Sequence, residues 1–489
     1  MRKGKGKLLA GLFALGIFAL PSFAGATGST AGDNNSTAGL VPPRGRLATE
    51  GILGTATAYP EGHGTITVPR GAEHTSQAAN AAILSTPTTP KPSAPIHKFR
   101  LLWAAVPNAV RYQFVVTKGD DDDAPIVYTY SYIFNNGFEL PVKDPAWVDG
   151  TYFWKARPLD YDGKPIGPFT MPKSLMTGER NPSGPLPTSE YANEDAPLYP
   201  TFSWVAYPSA EEYEVSVWKR GATGSGNDLL HLVYTRGLTA YDTAGFTTPG
   251  HYFWRVRALD SNKQPISAWS PDSDFEVRKG AAVVAAFGDS ITHGGGAITY
   301  GPDRRIYDWE TYVSFPVKNL GFSGDTAEAM DARFNRDVLP FHPKILVISG
   351  GVNDYRQGDD AGETIAALAS IRDKCRAHGI IPVFMTQTSL NPYKISKSRL
   401  VSMPPDDWQT RQEAINEWIM SQPYAIDVTS TLSDGSGNME ANYTTDGLHP
   451  DAQAKRYMGE AVNHYLLAHF ANIIQGETAN QNQGVRAQG

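Results

Sequence analysis

The run VVAAFGDS at residues 283–290 narrows the choice of fold more than any other segment. Its first five residues are apolar and partly β-branched, as in a strand that is buried on both faces of a parallel sheet. The polar residues that follow place Ser290 at the carboxyl end of this strand, where open α/β sheets bind their ligands. Because serine is also a common helix cap in strand-to-helix turns, this run alone leaves the role of Ser290 open.

Strand-like and helix-like segments alternate from residue 281 onward. This alternation predicts an α/β domain over residues 281–472, with a three-layer, flavodoxin-like parallel sheet. The polar residues 473–489 are predicted to be a disordered tail. The predicted strands are 283–290, 316–322, 344–351, 380–387 and 424–430, and the predicted helices are 326–338, 363–378, 407–420 and 451–470.

An internal repeat with an offset of about 100 residues precedes this domain. In both copies tryptophan and tyrosine alternate with polar residues, as in half-buried strands, which predicts two N-terminal β-sandwich domains at 96–178 and 183–278. The spacing of the tryptophans and the Y-x-W-x-[AV] strand resemble fibronectin type III domains, which serve as spacers or binding modules. The repeat pairs residues 99–116 with 200–217, and residues 150–165 with 250–265.

The first 26 residues have the pattern of a secretory signal peptide. Four basic residues precede the apolar or glycine run 8–20, and small residues follow it. We therefore expect a secreted or extracytoplasmic protein, at the cell surface or in the periplasm, with no transmembrane segment after signal removal. Residues 27–95 are rich in Gly, Ser, Thr, Ala and Pro and are predicted to be a flexible spacer, within which residues 54–68 could form a short hairpin.

Charge and cysteine content exclude several classes of function. The net charge is -7 and basic runs are lacking, which argues against a nucleic-acid partner. Cys375 is the one cysteine, so the chain can form neither an internal disulfide nor a thiolate metal site. A zinc site at Asp446 and His449 would have two ligands only, so we expect no metal and no cofactor.

Polar residues follow several predicted strands at their carboxyl ends. The blocks are G-D-S-I-T with Ser290, G-F-S-G-D-T with Gly324, G-G-V-N-D with Asn353, and D-G-L-H-P with Asp446 and His449. One crevice can collect all of these groups. In their order and in the D-x-x-H spacing, the four blocks resemble the SGNH hydrolases, the GDSL esterase and lipase family.

The resemblance implies a serine hydrolase, and the residue types fit that chemistry. Ser290 would be the nucleophile, His449 the base that takes its proton, and Asp446 the group that orients the imidazole. The family assignment gives the oxyanion hole as the backbone N–H groups of Ser290 and Gly324 and the side-chain amide of Asn353. Three further polar residues lie beside the blocks and are assigned no chemical role, namely Asp289, His293 and Asp354.

Three functions stay open at this point. The first is a secreted esterase that removes short acyl groups, acetyl foremost, from carbohydrate or another small ester. The second is a lipase or lysophospholipase of the same family, and the third is a surface-binding protein with a vestigial hydrolase domain, against which the intact catalytic set counts. Segment 388–408 is long enough to cover the crevice, but its lysines and arginine make it more polar than a lid that receives lipid. The side chains of Tyr300, Tyr355 and Arg356 would match the mixed apolar and hydroxyl surface of a sugar.

The repeat and the α/β domain have separate predicted cores. The sequence therefore predicts that the α/β domain can be separated near residue 278 without loss of its fold. The sandwiches would then act on access to substrate, either as spacers or by association with glycan or cell wall.

Overall fold

The computed structural model describes residues 66–67, 97–142, 145–191, 195–221, 226–278, 282–296, 300–399 and 401–486. The predicted signal peptide and nearly all of the predicted spacer lie outside these ranges. Within them, no helix is long and apolar enough to cross a membrane.

The first repeat forms two antiparallel sheets. One has the strand order β4-β3-β6-β7 and the other the order β5-β2-β8. Side chains from both sheets, such as Phe99 in β2 and Trp154 in β6, belong to one buried core. The strands are β2 (His97–Leu102), β3 (Arg111–Lys118), β4 (Ile126–Ile133), β5 (Gly137–Val142), β6 (Tyr152–Leu159), β7 (Lys173–Ser174) and β8 (Glu179–Arg180), with 3-10 helices at Pro145–Val148 and Leu175–Thr177.

The second repeat has the same plan. Its sheets have the orders β1-β12-β11-β14-β15 and β13-β10-β9, and they enclose a core that includes Trp204 and Trp254. Two antiparallel sheets around one core are consistent with the predicted sandwiches, while the likeness to fibronectin type III domains stays a prediction. The strands are β1 (Ile66–Thr67), β9 (Leu186–Pro187), β10 (Thr201–Val205), β11 (Glu212–Lys219), β12 (Asp228–Thr235), β13 (Thr239–Tyr241), β14 (Gly250–Leu259) and β15 (Ser273–Val277).

The C-terminal domain contains a five-stranded parallel sheet of order β17-β16-β18-β19-β20. This 2-1-3-4-5 order is the flavodoxin-like order, so the predicted α/β class and sheet are confirmed. Strands β16 and β18 are buried along their whole length, which explains why their sequences are continuously apolar. The strands are β16 (Val284–Gly288), β17 (Val317–Asn319), β18 (Ile345–Ser349), β19 (Ile381–Met385) and β20 (Ala425–Ile426).

Eight α-helices accompany this sheet in the described part of the chain. Side-chain caps begin several of them: Thr326, Asp360 and Asn391 each accept a backbone N–H of the first turn. The helices are α1 (Ser290–His293), α2 (Ala327–Asp337), α3 (Val352–Gln357), α4 (Ala361–Ala377), α5 (Pro392–Ser398), α6 (Trp408–Met420), α7 (Thr429–Leu432) and α8 (Ala452–Arg486), with 3-10 helices at Arg305–Tyr307, Trp309–Tyr312 and Leu339–Phe341.

Two predicted boundaries differ from the structure. Within the predicted spacer, Ile66 and Thr67 pair with β12, because that strand leaves an open edge for an extended segment. Within the predicted tail, α8 continues to Arg486. The helical backbone is interrupted at Phe470, where φ is -134° and ψ is 20°, so the tail belongs to a second helical segment beyond this kink.

The second repeat also contributes to the core of the α/β domain. Leu198 and Tyr199 are buried within the apolar cluster of that domain. The backbone N–H of Leu198 donates to the carbonyl of Asn319, at the end of β17, over 2.9 Å. The expectation of fully separate cores is therefore wrong, since a cut near residue 278 would remove two side chains from the core of the α/β domain. Whether that domain folds by itself stays a prediction.

The first repeat contacts the segment that follows α1. The Tyr300 hydroxyl donates to the carbonyl of Val106 over 2.8 Å, and it lies 2.6 Å from the Tyr112 hydroxyl. The backbone N–H of Asn108 donates to the Tyr307 hydroxyl over 2.9 Å. Both repeats thus support the α/β domain through buried contacts.

We predict that Leu198→Ala lowers the free energy of unfolding of the full chain by about 2–5 kcal/mol, the usual cost of emptying a buried leucine site. The measurement is chemical denaturation, with Leu102→Ala as control because Leu102 is 43% exposed. Equal and small losses in the two variants would contradict the packing of Leu198 against the α/β domain.

Candidate active site

Ser290 begins helix α1 directly after the carboxyl end of β16. The carboxylate of Asp289 caps this short helix by accepting the backbone N–H of Ile291 over 2.9 Å. Burial raises the pKa of Asp289 to about 7. As the first helical residue, Ser290 has a backbone N–H without an intrahelical acceptor, so this group can bind an oxygen of a ligand.

Three of the predicted residues form one chain of hydrogen bonds. Nε2 of His449 lies 3.1 Å from Oγ of Ser290, and Nδ1 of His449 lies 2.8 Å from Oδ2 of Asp446. All three residues are buried, with at most 5% of their surface exposed. Since a carboxylate only accepts, Nδ1 carries the hydrogen and Nε2 is free to accept the proton of Ser290.

Asp446 is held as a carboxylate by its surroundings. Its Oδ1 accepts the backbone N–H groups of Leu448 and His449 over 2.9 and 2.8 Å. Burial favours the neutral acid, but the contacts with His449 and these amides prevail and lower the pKa of Asp446. The charged form is therefore the one that faces the imidazole.

Helix α5 packs onto the turn between Asp446 and His449. Oγ of Ser398 donates to the carbonyl of Asp446 over 3.1 Å, and the backbone N–H of Asn391 donates to the carbonyl of Gly447 over 2.8 Å. Gly447 has a φ of +91°, and a Cβ there would lie 2.5 Å from the carbonyl oxygen of Asn391. A glycine is thus required where α5 approaches the turn.

The predicted oxyanion residues follow the neighbouring strands. Gly324 lies in the loop after β17, with a φ of +92° that favours glycine. The backbone N–H of Phe322 donates to the carbonyl of Gly288 over 2.9 Å, which brings this loop beside the turn that leads to Ser290. The Asn353 amide, after β18, donates to the carbonyl of Asp325 over 2.9 Å and retains a second N–H.

Arg333 on α2 is a buried residue that the sequence analysis did not identify. Its guanidinium donates to the Asp325 carboxylate over 2.5 Å and to the carbonyls of Leu320 and Gly288 over 2.8 and 2.9 Å. It thereby joins the end of β16 to both ends of the loop that contains Gly324. The eight-residue spacing from Asp325 to Arg333 fits a loop and two helical turns, but it carries no signal specific enough to single out this pair.

Lys455 on α8 was also missed. It is fully buried, and its Nζ donates to the carbonyl of Ile291 in α1. Burial lowers the pKa of Lys455, while Asp308 and Glu310 oppose this change. The helix that follows His449 is therefore tied directly to the helix that begins with Ser290.

Residues beside the motif blocks have structural contacts. Both oxygens of Asp354 accept the backbone N–H of Ala327 at the start of α2, over 3.2 and 3.1 Å. The hydroxyl of Tyr355 donates to the carbonyl of Thr388, and its side chain is fully buried. Tyr300 is buried against the first repeat, so neither tyrosine presents the sugar-binding surface that the sequence analysis considered.

Arg356 contacts an oxyanion candidate from the same helix. Its Nη2 donates to Oδ1 of Asn353 over 3.2 Å, which orients the amide nitrogen of Asn353 away from the guanidinium.

In the described residues, no group of three or more His, Cys, Asp or Glu side chains is arranged to hold a metal ion.

Comparisons with known proteins found relatives of part of this chain. An uncharacterized lipoprotein of Bacillus subtilis, YqeF, is 30% identical over 120 residues, which are 22% of this chain and 49% of the relative. The chain thus matches about half the length of that relative.

Solved structures also resemble part of the chain. A lipase/acylhydrolase from Enterococcus faecalis is 20% identical, with a TM-score of 0.31, and the match covers 37% of this chain and 94% of that one. A catalytic mutant of Axe2, an acetylxylan esterase from Geobacillus stearothermophilus, is 20% identical with a TM-score of 0.28, covering 38% and 95%.

The model of the GDSL-like lipase/acylhydrolase family matches residues 286–457. This match contains all five residues that the sequence analysis placed at the site, from Ser290 to His449. Residues 286–457 of this chain therefore form a hydrolase domain of the GDSL-like lipase and acylhydrolase family.

Proposed function

We propose that the chain is an extracytoplasmic serine esterase that removes short acyl groups, acetyl foremost, from carbohydrate. The observation that carries the proposal is the hydrogen-bond chain from Ser290 through His449 to Asp446, within a domain of a hydrolase family. A serine, a neutral imidazole and a buried carboxylate in this order can form and hydrolyse an acyl-enzyme.

The reaction begins when Nε2 of His449 takes the proton of the Ser290 hydroxyl. Oγ of Ser290 then attacks the ester carbonyl carbon, and the carbonyl oxygen becomes an oxyanion. This tetrahedral intermediate collapses as His449 gives the proton to the leaving alcohol, and an acyl ester remains on Ser290. Water, deprotonated by the same imidazole, attacks this ester; the acid is released as His449 returns the proton to Oγ of Ser290.

The oxyanion is stabilised by three donors in this mechanism. They are the backbone N–H groups of Ser290 and Gly324 and the second amide N–H of Asn353. Loss of one such donor typically reduces kcat about a hundredfold to a thousandfold. The bonds of Asn353 to Asp325 and Arg356 hold its amide in one orientation, as a preorganised donor requires.

Two observations favour a short acyl group over a long chain. The serine is only 3% exposed. On α5, which packs against the His449 turn, Tyr393, Ser396 and Lys397 face the solvent, whereas Ile395 is buried. A lipase would place an apolar surface there to receive lipid.

Lipid hydrolysis remains the second candidate, because the family includes lipases and Met403 near α5 is 55% exposed. The esterase proposal includes two further points. Secretion is inferred from the signal-like residues 1–26, which lie outside the described residues. A role of fibronectin type III-like sandwiches in access to glycan or cell wall is inferred from the repeat.

We predict that Ser290→Ala and His449→Ala each reduce ester hydrolysis about ten-thousandfold or more, because each removes a group that the attack requires. Asp446→Asn should be severe but weaker. Rates with p-nitrophenyl acetate test this, with Ser421→Ala and His378→Gln as controls at exposed positions. The double variant Ser290→Ala/His449→Ala should be no slower than Ser290→Ala alone. A folded Ser290→Ala protein that keeps its turnover would rule out the mechanism.

We predict that kcat/KM rises with pH, because general-base catalysis requires the unprotonated imidazole of His449. Contacts with His449 and two backbone amides lower the pKa of Asp446, which favours its charged form. Asp289, with a pKa raised to about 7 by burial, titrates near neutral pH. The variant Asp289→Asn keeps a helix cap and does not titrate, so it should retain the acidic limb of the pH profile. If kcat/KM of Asp289→Asn no longer falls at acidic pH, the pH dependence comes from Asp289 and not from His449.

We predict that kcat/KM for p-nitrophenyl esters falls as the acyl chain lengthens from two to eight carbons, by roughly tenfold or more. An apolar pocket would instead gain about 1–3 kcal/mol per methylene. The panel should be run beside acetylated polysaccharides and lysophospholipids, with Ser290→Ala protein as the background. An increase with chain length, or preference for the lysophospholipid, would favour the lipase alternative.

A further inference from the structure

His293 is the last residue of α1 and is buried, with 2% of its surface exposed. Its Nε2 lies 2.6 Å from the carbonyl oxygen of Tyr199, and its Nδ1 lies 2.8 Å from Oγ of Ser323. A carbonyl oxygen only accepts, so Nε2 carries the hydrogen. Nδ1 is then the acceptor, and the hydroxyl of Ser323 donates to it.

The environment keeps this imidazole in that form. Burial, together with the nearby cations Arg333 and Lys455, lowers the pKa of His293 to about 4, although the hydrogen bond to the Tyr199 carbonyl opposes this change. The ring of Tyr241 contacts it edge-on at 6.1 Å. At neutral pH His293 therefore has one fixed donor and one fixed acceptor.

Ser323 directly precedes Gly324 in the chain. The backbone N–H of Ser323 also points to Nδ1 of His293, over 3.3 Å. The N–H of Gly324 belongs to the peptide plane that joins these two residues, so its direction depends on how Ser323 is held. Because Gly324 can adopt many backbone conformations, this peptide plane needs outside support to be a preorganised donor.

The other end of the imidazole rests on a fixed group. The hydroxyl of Tyr199 donates to Oδ2 of Asp337 over 2.8 Å and accepts Nη2 of Arg336 over 2.9 Å. Its ring packs edge-on against Phe322, with 4.8 Å between centroids. The backbone of Tyr199 is thus anchored to the hydrolase domain, although it lies outside residues 286–457.

We propose that His293 is a positioning residue for ester hydrolysis. Its imidazole connects the Tyr199 carbonyl to Ser323 and so fixes the Ser323–Gly324 peptide whose N–H binds the oxyanion. The segment between the second repeat's strands thereby supports the transition state. This inference rests on the proposed serine esterase mechanism.

The test uses two amide substitutions that separate the bonds of the imidazole. In His293→Asn the side-chain oxygen takes the place of Nδ1 and can accept from Ser323, while the bond to Tyr199 is lost. In His293→Gln the amide nitrogen takes the place of Nε2 and can donate to Tyr199, while the acceptor for Ser323 is lost. Ser323→Ala removes the same bond as His293→Gln from the other side.

We predict that His293→Gln and Ser323→Ala lower kcat for p-nitrophenyl acetate by about tenfold to a hundredfold, the loss expected from a misplaced oxyanion donor. KM should change little, because the donor acts mainly in the transition state. His293→Asn keeps the acceptor for Ser323 but loses the Tyr199 anchor, so its kcat should fall between those of the unmodified chain and His293→Gln, even where its melting temperature is lower. The exposed His378→Gln serves as the control.

The double variant His293→Gln/Ser323→Ala should be no slower than His293→Gln alone, since that substitution already removes the acceptor of the Ser323 hydroxyl. A kcat that follows the melting temperature across all variants, with His293→Asn as slow as His293→Gln, would overturn the positioning role. If His293→Gln does not fold, an unchanged kcat in Ser323→Ala would overturn it as well. A failure of the esterase proposal is distinguishable from these outcomes, because the unmodified chain would then show no ester hydrolysis that depends on Ser290.

Discussion

The buried guanidinium of Arg333 is the contact on which the rest of the site depends. It binds the Asp325 carboxylate and two backbone carbonyls, at Gly288 and Leu320, and it lies over the ring of Phe287 at 4.3 Å. A buried charge is costly unless it is paired and fully hydrogen-bonded, so these partners must stay in place together. The strand end that leads to Ser290 and the loop that contains Gly324 therefore share one rigid support.

Much of the fold could be predicted from the sequence because its signals are local. A continuous apolar run such as residues 344–351 indicates a strand buried on both faces, and alternation with amphipathic helices indicates a parallel sheet. The carboxyl ends of such strands meet at one edge, which explains why Ser290 and His449, far apart in the chain, are hydrogen-bonded in the structure. The D-x-x-H spacing then suffices to bring Asp446 to the second ring nitrogen of His449.

What could not be predicted are the contacts between segments with no shared periodicity. His293 follows Ser290 by three residues, yet its ring meets Tyr199 and Ser323, 94 and 30 residues away. Nothing in the local sequence distinguishes this histidine from an ordinary core residue. The same holds for the pairing of Ile66 with β12, because an open sheet edge accepts any short extended segment of suitable register.

The position of the two repeats changes how their role should be understood. A domain that only tethers an enzyme to a polymer needs a linker and few contacts, because effective concentration does not depend on orientation. Here Tyr112 and Val106 of the first repeat hold Tyr300, which lies beyond α1 in the chain, and Tyr199 at the second repeat holds His293 within α1. A shift of the second repeat would therefore act on α1 directly, whereas a shift of the first repeat would act on the segment at Tyr300. The repeats are part of the scaffold of the site, and an influence on access to substrate would come in addition to that structural role.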